Sequence, residues 1–273
     1  MQQAFETHEP VELYVEIGRG SVTLDAAETT ESTVEVTGDR SDEVIVELNG
    51  RQLSVISPRH RTGFFGGEPN LFVTIAVPTD SQLNVKTGSA DVSASGTWGS
   101  TQVKSGSGQV RLAEVGAPAL IETGSGDISA ERILGEAKIK SGSGNVTVQR
   151  ADSAALVSTG SGDVELAVAA GPVVVKTGSG DLRVATADGD VSMSTGSGDA
   201  VVERLNRGTF SVKGASGDVA VGVPAGVPVW TDLSSVSGHV HSNLVGAGTP
   251  ADGQAHIELR AKTVSGDITL KQL

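Results

Sequence analysis

A five-residue motif returns along the chain at a constant interval of 18 residues. In its fullest form it reads Thr-Gly-Ser-Gly-Asp, and its first glycine lies at Gly88, Gly106, Gly124, Gly142, Gly160, Gly178 and Gly196. Six equal steps in succession indicate a structural repeat, and intervals of this order are typical of solenoids and other repeat architectures. The interval therefore limits the chain to folds in which one small unit stacks on the next.

The residues that flank the motif indicate what this unit is. Apolar residues alternate with polar ones on both sides of each turn, as at Val103 before it and at Val110 and Leu112 after it. Alternation with a period of two is typical of strands that bury one face. We therefore predict an all-β, single-stranded β-helix, that is, a solenoid whose 18-residue coils contain two strands each.

The first part of the chain does not keep the interval. Residues 1–80 contain strand-like runs at 11–17, 21–24, 33–36, 44–48, 52–56 and 71–77. We interpret this segment as an irregular N-terminal β cap, because an uncapped solenoid exposes unpaired backbone groups. Residues 81–273 would form the regular solenoid of the same continuous domain, with a loop inserted at 242–256.

Composition limits the partners and the chemistry. The chain has 33 acidic and 20 basic residues, a net charge of −13. This charge argues against nucleic acid and anionic membranes as partners, since both attract Lys and Arg. The chain contains no cysteine, which excludes disulfides and thiol chemistry. The N-terminal sequence lacks the basic and apolar segments of a secretory signal, so we predict a cytoplasmic location.

The acidic position of the motif suggests a cation site. Four consecutive copies carry the acid, at Asp163, Asp181, Asp199 and Asp218. Stacked carboxylates would lie about 4.8 Å apart, and calcium could relieve their repulsion, as in β-rolls with a different glycine spacing. The alternative is a structural turn, in which glycines permit positive φ and Asp or Asn accepts local backbone hydrogen bonds. Asn145 lies in the same column, and this exchange favours the structural turn. We predict no other cofactor.

One segment combines basic and aromatic residues, at 58–67. It contains Arg59, His60, Arg61, Phe64 and Phe65. The segment is interpreted either as a hairpin tip whose phenylalanines fold back onto the cap, or as a contact loop for another protein or a second copy. The segment 245–253 is a second candidate contact loop.

The sequence contains no pattern that marks a catalytic site. Carbohydrate-active β-helices need clustered carboxylates and aromatic residues along a groove, whereas aromatic residues make up only 3% of this chain. The nucleophile motif Gly-x-Ser-x-Gly is also absent. We therefore predict a non-enzymatic scaffold that acts through contacts with an unknown protein partner. The alternatives are a protein that self-associates end to end, and a calcium- or carbohydrate-binding β-helix.

Several segments together resemble the bacterial putative-adhesin family of domains of unknown function, which contain β-strand repeats. The resemblance rests on Phe5-x-Thr7, on Gly20-Ser21-Val22, on the serial Thr-Gly-Ser-Gly-Asp turns and on the closing segments 227–238 and 262–268. It covers nearly the whole chain. It implies a β-helical solenoid and no catalytic residues.

Overall fold

The computed structural model describes residues 1–57, 69–246 and 256–273. These residues form 27 β-strands and one short 3-10 helix, so the prediction of an all-β solenoid is confirmed. No helix among them is long and apolar enough to cross a membrane. The chain divides into two compact units, 1–136 and 137–273. The predicted boundary near residue 80 and the single continuous domain stay predictions.

The first unit contains thirteen strands and the 3-10 helix Ser41–Glu43. Its strands are Gln2–Glu6 (β1), Glu12–Ile17 (β2), Arg19–Ala27 (β3), Glu31–Gly38 (β4), Ile45–Asn49 (β5), Gln52–Ile56 (β6), Asn70–Pro78 (β7), Gln82–Thr87 (β8), Asp91–Trp98 (β9), Thr101–Ser105 (β10), Val110–Val115 (β11), Ala119–Thr123 (β12) and Ile128–Ile133 (β13).

The second unit contains fourteen strands. They are Ala137–Ser141 (β14), Val146–Ala151 (β15), Ala155–Thr159 (β16), Val164–Ala169 (β17), Val173–Thr177 (β18), Leu182–Ala187 (β19), Val191–Ser194 (β20), Ala200–Leu205 (β21), Gly208–Lys213 (β22), Val219–Val223 (β23), Val229–Ser235 (β24), Val240–Ser242 (β25), Ile257–Thr263 (β26) and Ile268–Gln272 (β27).

In the regular coils of each unit, every coil gives one strand to each of two parallel sheets. Strands β14, β16, β18 and β20 pair in register at an offset of 18 residues, so Val157 lies between Ile139 and Val175. All three side chains are fully buried. Burial of such a side chain contributes about 1.5–3 kcal/mol, and stacked apolar columns therefore hold the coils together. The predicted 18-residue coil with two strands is confirmed.

At the start of the first unit, the order of strands departs from the order of the chain. The coil formed by β6 and β7 pairs with β2 and β3, and β2 and β3 pair on their other side with β8 and β9. Strand β5 then pairs antiparallel with β6, β4 pairs antiparallel with β7, and β1 follows β4. The strand-like runs predicted in residues 1–80 correspond to β2–β7, whereas β1 was not predicted.

A second departure occurs at the end of the second unit. Strand β26 pairs with β22 on one side and with β24 on the other, and β27 lies between β23 and β25 in the same way. The last coil in the sequence is therefore inserted before the preceding one. As a result, β24 and β25 are the outermost strands of the two sheets in this unit.

Candidate functional site

The glycines of the repeated turn are required by the backbone of the neighbouring coil. A Cβ on Gly162 would lie 2.1 Å from the carbonyl oxygen of Gly144, and a Cβ on Gly180 would lie 2.0 Å from that of Gly162. Neither residue has a positive φ, so the reason inferred from the sequence is wrong for these coils. Positive φ occurs at Gly217, in a coil that is one residue longer. Close stacking of backbones explains the glycines.

The Thr or Ser at the start of the motif closes its own turn. The Thr123 hydroxyl donates to the carbonyl oxygen of Gly126 at 2.7 Å, and the Gly162 N–H donates to the Thr159 hydroxyl at 2.8 Å. Within the described residues, the buried Thr195 hydroxyl is an exception without a hydrogen-bond partner. It lies beside the longer coil, where the regular turn geometry ends.

The acidic position links each coil to the next. The backbone N–H of Asp181 donates to Oδ1 of Asp163 at 2.9 Å, and the N–H of Asp199 donates to Oδ1 of Asp181 at 2.8 Å. The ladder continues through Asp218, Asp267 and His239. The Asp163 N–H donates to the side-chain amide oxygen of Asn145 in the same way, at 2.9 Å. The ladder therefore requires an acceptor oxygen, which an amide supplies as well as a carboxylate does.

This ladder involves all four residues predicted as a cation site. Asp163, Asp181, Asp199 and Asp218 each accept a backbone N–H from the following coil. In the part of the chain that the structure describes, no three His, Asp or Glu side chains are grouped so that they could hold a metal ion. The calcium site stays a prediction, whereas the hydrogen-bonded ladder is a feature of the structure.

The predicted contact residues Arg59, His60, Arg61, Phe64 and Phe65 lie outside the described residues, as do residues 247–255 of the second candidate loop. Their role in partner contacts therefore stays a prediction.

Exposed apolar side chains are concentrated in the last two coils of the second unit. We call residues 229–246 and 256–273 the terminal coils. Of ten large apolar side chains exposed among the described residues, six lie there, each at least 47% exposed: Trp230, Val236, Val240, Val245, Val264 and Leu273. Single exposed apolar residues are normal, but a group of them indicates a contact surface. The terminal coils are therefore the candidate site.

Two of these residues replace a glycine of the motif. Val236 and Val264 occupy the position of the first glycine in the last two copies of the turn. In a regular coil a Cβ at this position, on Gly160, would lie 2.5 Å from the carbonyl oxygen of Gly142. The Val264 N–H donates to the carbonyl oxygen of Ala215, in the longer coil, at 3.1 Å, as the Gly160 N–H does to that of Gly142 in a regular coil. Sequence reasoning missed both valines, although an apolar residue in a glycine column was a visible signal.

Charged side chains surround the exposed tryptophan. The Arg260 guanidinium lies 5.4 Å from the centre of the Trp230 ring and 2.7 Å from a Glu258 carboxylate oxygen. Lys262 lies 3.3 Å from Asp232. Exposed ion pairs of this kind contribute about 0.2–1 kcal/mol, so they affect stability little. Trp and Arg are, however, the residue types that most often dominate binding at protein interfaces.

Asp267 joins the two terminal coils. The backbone N–H of His239 lies 2.8 Å from Oδ1 of Asp267 and lowers the pKa of this carboxyl, because it stabilises the charged form. Desolvation opposes the shift, and the imidazoles of His239 and His241 add to it. The two imidazole rings are stacked with their centres 6.0 Å apart, as expected for neighbouring positions on one face of a strand.

Comparison with known proteins identifies the family. The family model described as Toastrack DUF4097 matches residues 11–170 and again 120–271, so the two matches together span nearly the whole chain. This chain belongs to the Toastrack family. The Toastrack match supports the resemblance to bacterial putative-adhesin domains of unknown function. No curated protein matches the chain.

Several solved structures are similar to this Toastrack chain at low sequence identity. A "putative adhesin" from Parabacteroides merdae is 15% identical, with a TM-score of 0.55 over 81% of this chain and 95% of its own. A "putative lipid binding protein" and a "putative adhesin", both from Parabacteroides distasonis, are each 12% identical over 100% of this chain and 96% of their own, with TM-scores of 0.46 and 0.32. At 15% identity, the similarity to the Parabacteroides merdae protein concerns the fold alone.

Proposed function

We propose that this Toastrack chain is a non-enzymatic scaffold that binds other proteins through its terminal coils. The observation that carries the proposal is the group of exposed apolar side chains in the last two coils. At two of these positions, Val236 and Val264, folding does not require an apolar side chain, because in the regular coils the same turn position is a glycine. Apolar residues held in water without a folding role are typical of surfaces that a partner covers.

The use of the polar repeat residues supports a non-enzymatic role. The hydroxyls of the motif close turns and its carboxylates connect coils. These side chains therefore have structural roles in successive coils. The name of the Parabacteroides merdae relative, a "putative adhesin", points to the same class of contact function.

Quantitative affinity capture from a lysate of the native host would test the proposal. The test variant combines Trp230→Ala with Val236→Ser. The matched control combines Phe72→Ala with Ile45→Ser, since Phe72 and Ile45 are each 48% exposed in the other unit, close to the 51% of Trp230. We expect the test variant to lose captured proteins by about tenfold or more, while the control retains them. Equal capture by both variants would refute the contact site.

The cytoplasmic location is part of the proposal. Cell fractionation of the native host, followed by detection with an antibody, would test it. Recovery of the protein in the soluble fraction of broken cells, together with protection from protease in intact cells, is the expected result. Cleavage by protease added to intact cells would contradict it.

A further inference from the structure

We propose that two copies of this chain pair through their terminal coils about a two-fold axis, with antiparallel strands at the junction. The inference rests on the proposed function, because it names a partner for the same surface. It follows from the free strand edges, from the exposed end of the apolar core, and from the need for one partner to cover both.

The outermost strands of the second unit have free edges. Among the described strands, β24 pairs only with β26 and β25 only with β27. Ile257 donates its N–H to the Pro228 carbonyl at 3.0 Å. Since alternate residues of a strand direct their backbone groups to opposite sides, the N–H and C=O groups of Val229, Thr231 and Leu233 point away from β26. Such a row of unpaired groups is a template for a further strand.

The apolar core between these two strands is open to water. Register places Val229 and Leu233 of β24 beside Ile257 and Ala261 of β26, facing inward. Ile257 and Ala261 are buried, whereas Val229 and Leu233 are only partly covered. On the other sheet, inward-facing Val240 is 47% exposed beside fully buried Ile268. Covering these side chains would be favourable by about 25 cal/mol for each Å² of apolar surface removed from water.

The partner must cover two strand edges and the core between them at once. Strand β24 ends one sheet and β25 ends the other, so a single extended peptide would satisfy only one edge. The terminal coil of a second copy presents two edges at the matching separation. A two-fold rotation reverses strand direction, so each sheet would continue with an antiparallel strand. Strand β24, with the sequence VWTDLSS, contains neither Lys nor Pro, which commonly protect free edges.

The size of the surface sets the expected affinity. The seven residues of β24 span about 23 Å, and two sheets about 10 Å apart are about 20 Å across with their outward side chains, so the end of the coil offers each copy about 400–500 Å². The total lies at the lower end of specific protein interfaces. We therefore expect a reversible dimer with a dissociation constant of micromolar order.

Analytical ultracentrifugation of the full chain between about 1 and 300 µM would test the pairing. The wild-type mass should rise from one chain to two and then remain constant. Thr231→Lys places a charge at an inward-facing position of the free edge and should weaken pairing at least tenfold. Ser234→Lys is the matched control, because Ser234 is also exposed on β24 but faces outward, with its backbone directed to β26. Equal thermal melting points would show that both variants fold.

The possible outcomes separate this inference from the proposed function. A wild-type mass of one chain at every concentration would overturn the pairing, and so would a mass that continues to rise beyond two chains. Equal weakening by Thr231→Lys and Ser234→Lys would also overturn it, since charge alone would then be responsible. Loss of captured proteins in the Trp230→Ala and Val236→Ser variant of a strictly monomeric protein would support the proposed function while removing the dimer. Unchanged capture by the Trp230→Ala and Val236→Ser variant, together with a dimer that Thr231→Lys weakens, would support the pairing and refute the proposed function.

Discussion

The first unit begins with antiparallel strands that cover its outermost parallel coil, whereas no described strand covers the outermost coil of the second unit. In the first unit, β5 lies on β6, and β4 and β1 lie on β7. Leu53 of β6 is consequently fully buried. In the second unit, β24 is itself both the outermost strand and part of a parallel coil, and its inward-facing Leu233 is partly exposed. The two regions thus differ in whether additional antiparallel strands cover their outermost parallel coil.

In the first unit, specific polar contacts also hold the outermost antiparallel strands β1 and β4 in place. The N-terminal amino group of Met1 donates to the Val36 carbonyl at 2.5 Å, and the hydroxyls of Thr7 and Ser32 lie 2.8 Å apart in a buried position. Within the described residues, antiparallel strands therefore cover the outermost parallel coil in only one of the two regions. This difference supports the view that the open coil is a contact surface.

The largest expected effect tests whether the two regions differ in how deeply Leu53 and Leu233 are buried. Leu53→Ala removes a fully buried side chain and should lower the free energy of unfolding by about 2–5 kcal/mol. Leu233→Ala, measured where the protein is monomeric, should cost less than Leu53→Ala, because the Leu233 side chain is already partly in contact with water. Urea denaturation of both variants gives the two values. Equal losses in the free energy of unfolding would contradict this difference between the two regions, since the terminal coil would then be covered in solution.

The next effect concerns the corners of the coils. Gly180→Ala places a Cβ 2.0 Å from a backbone oxygen, so adjacent coils must move apart, at a cost of about 1–3 kcal/mol. Val264→Ala, at a corner of the terminal coils, should change stability by less than about 0.5 kcal/mol, because the side chain is 55% exposed. Thermal denaturation measures both. A large loss for Val264→Ala would show that this valine belongs to the core.

The regular coils could be predicted from sequence because every coil repeats the same environment. A valine such as Val157 recurs at the same place in each coil and alternates with polar neighbours, so a period of two and an interval of 18 were enough. The order of the last two coils could not be predicted in this way. Their turns around Val236 and Val264 look alike in sequence, and their pairing depends on the path of the connecting chain.

The roles of the turn residues were predicted only in part. The sequence indicated that Asp181 accepts a backbone hydrogen bond, but the donor is Asp199 in the next coil rather than a local group. Similarly, the sequence predicted a structural role for Gly162, but the reason given for it was wrong. The close approach of Gly144, which requires the glycine, is a contact between coils. Such contacts follow from the stacking register, which a local turn pattern does not contain.

A smaller effect tests whether the ladder needs charge. Asp181→Ala removes the acceptor for the Asp199 N–H and should lower the free energy of unfolding by about 1 kcal/mol. Asp181→Asn should preserve stability, because Asn145 already serves as an acceptor in the same column. Thermal denaturation of both variants, with calcium and then with a chelator, is the measurement. A midpoint that rises with calcium in the wild type but not in Asp181→Asn would instead support the predicted cation site.

The smallest effect tests how the open coil is attached to its neighbour. The pKa of Asp267 lies below the ordinary value of 3.8, mainly because of the hydrogen bond from the His239 N–H. A depressed pKa in the folded state contributes stability that is present above the unfolded-state pKa and is lost as pH falls through the folded-state value. The melting-point difference between the wild type and Asp267→Asn should therefore be constant near neutral pH and shrink only below about pH 4. If the two proteins instead have equal melting points at every pH, the charge of this carboxylate does not stabilise the open coil. The attachment of the open coil would then require only an acceptor oxygen, as it does in the regular coils, where the uncharged Asn145 accepts the Asp163 N–H in the same ladder.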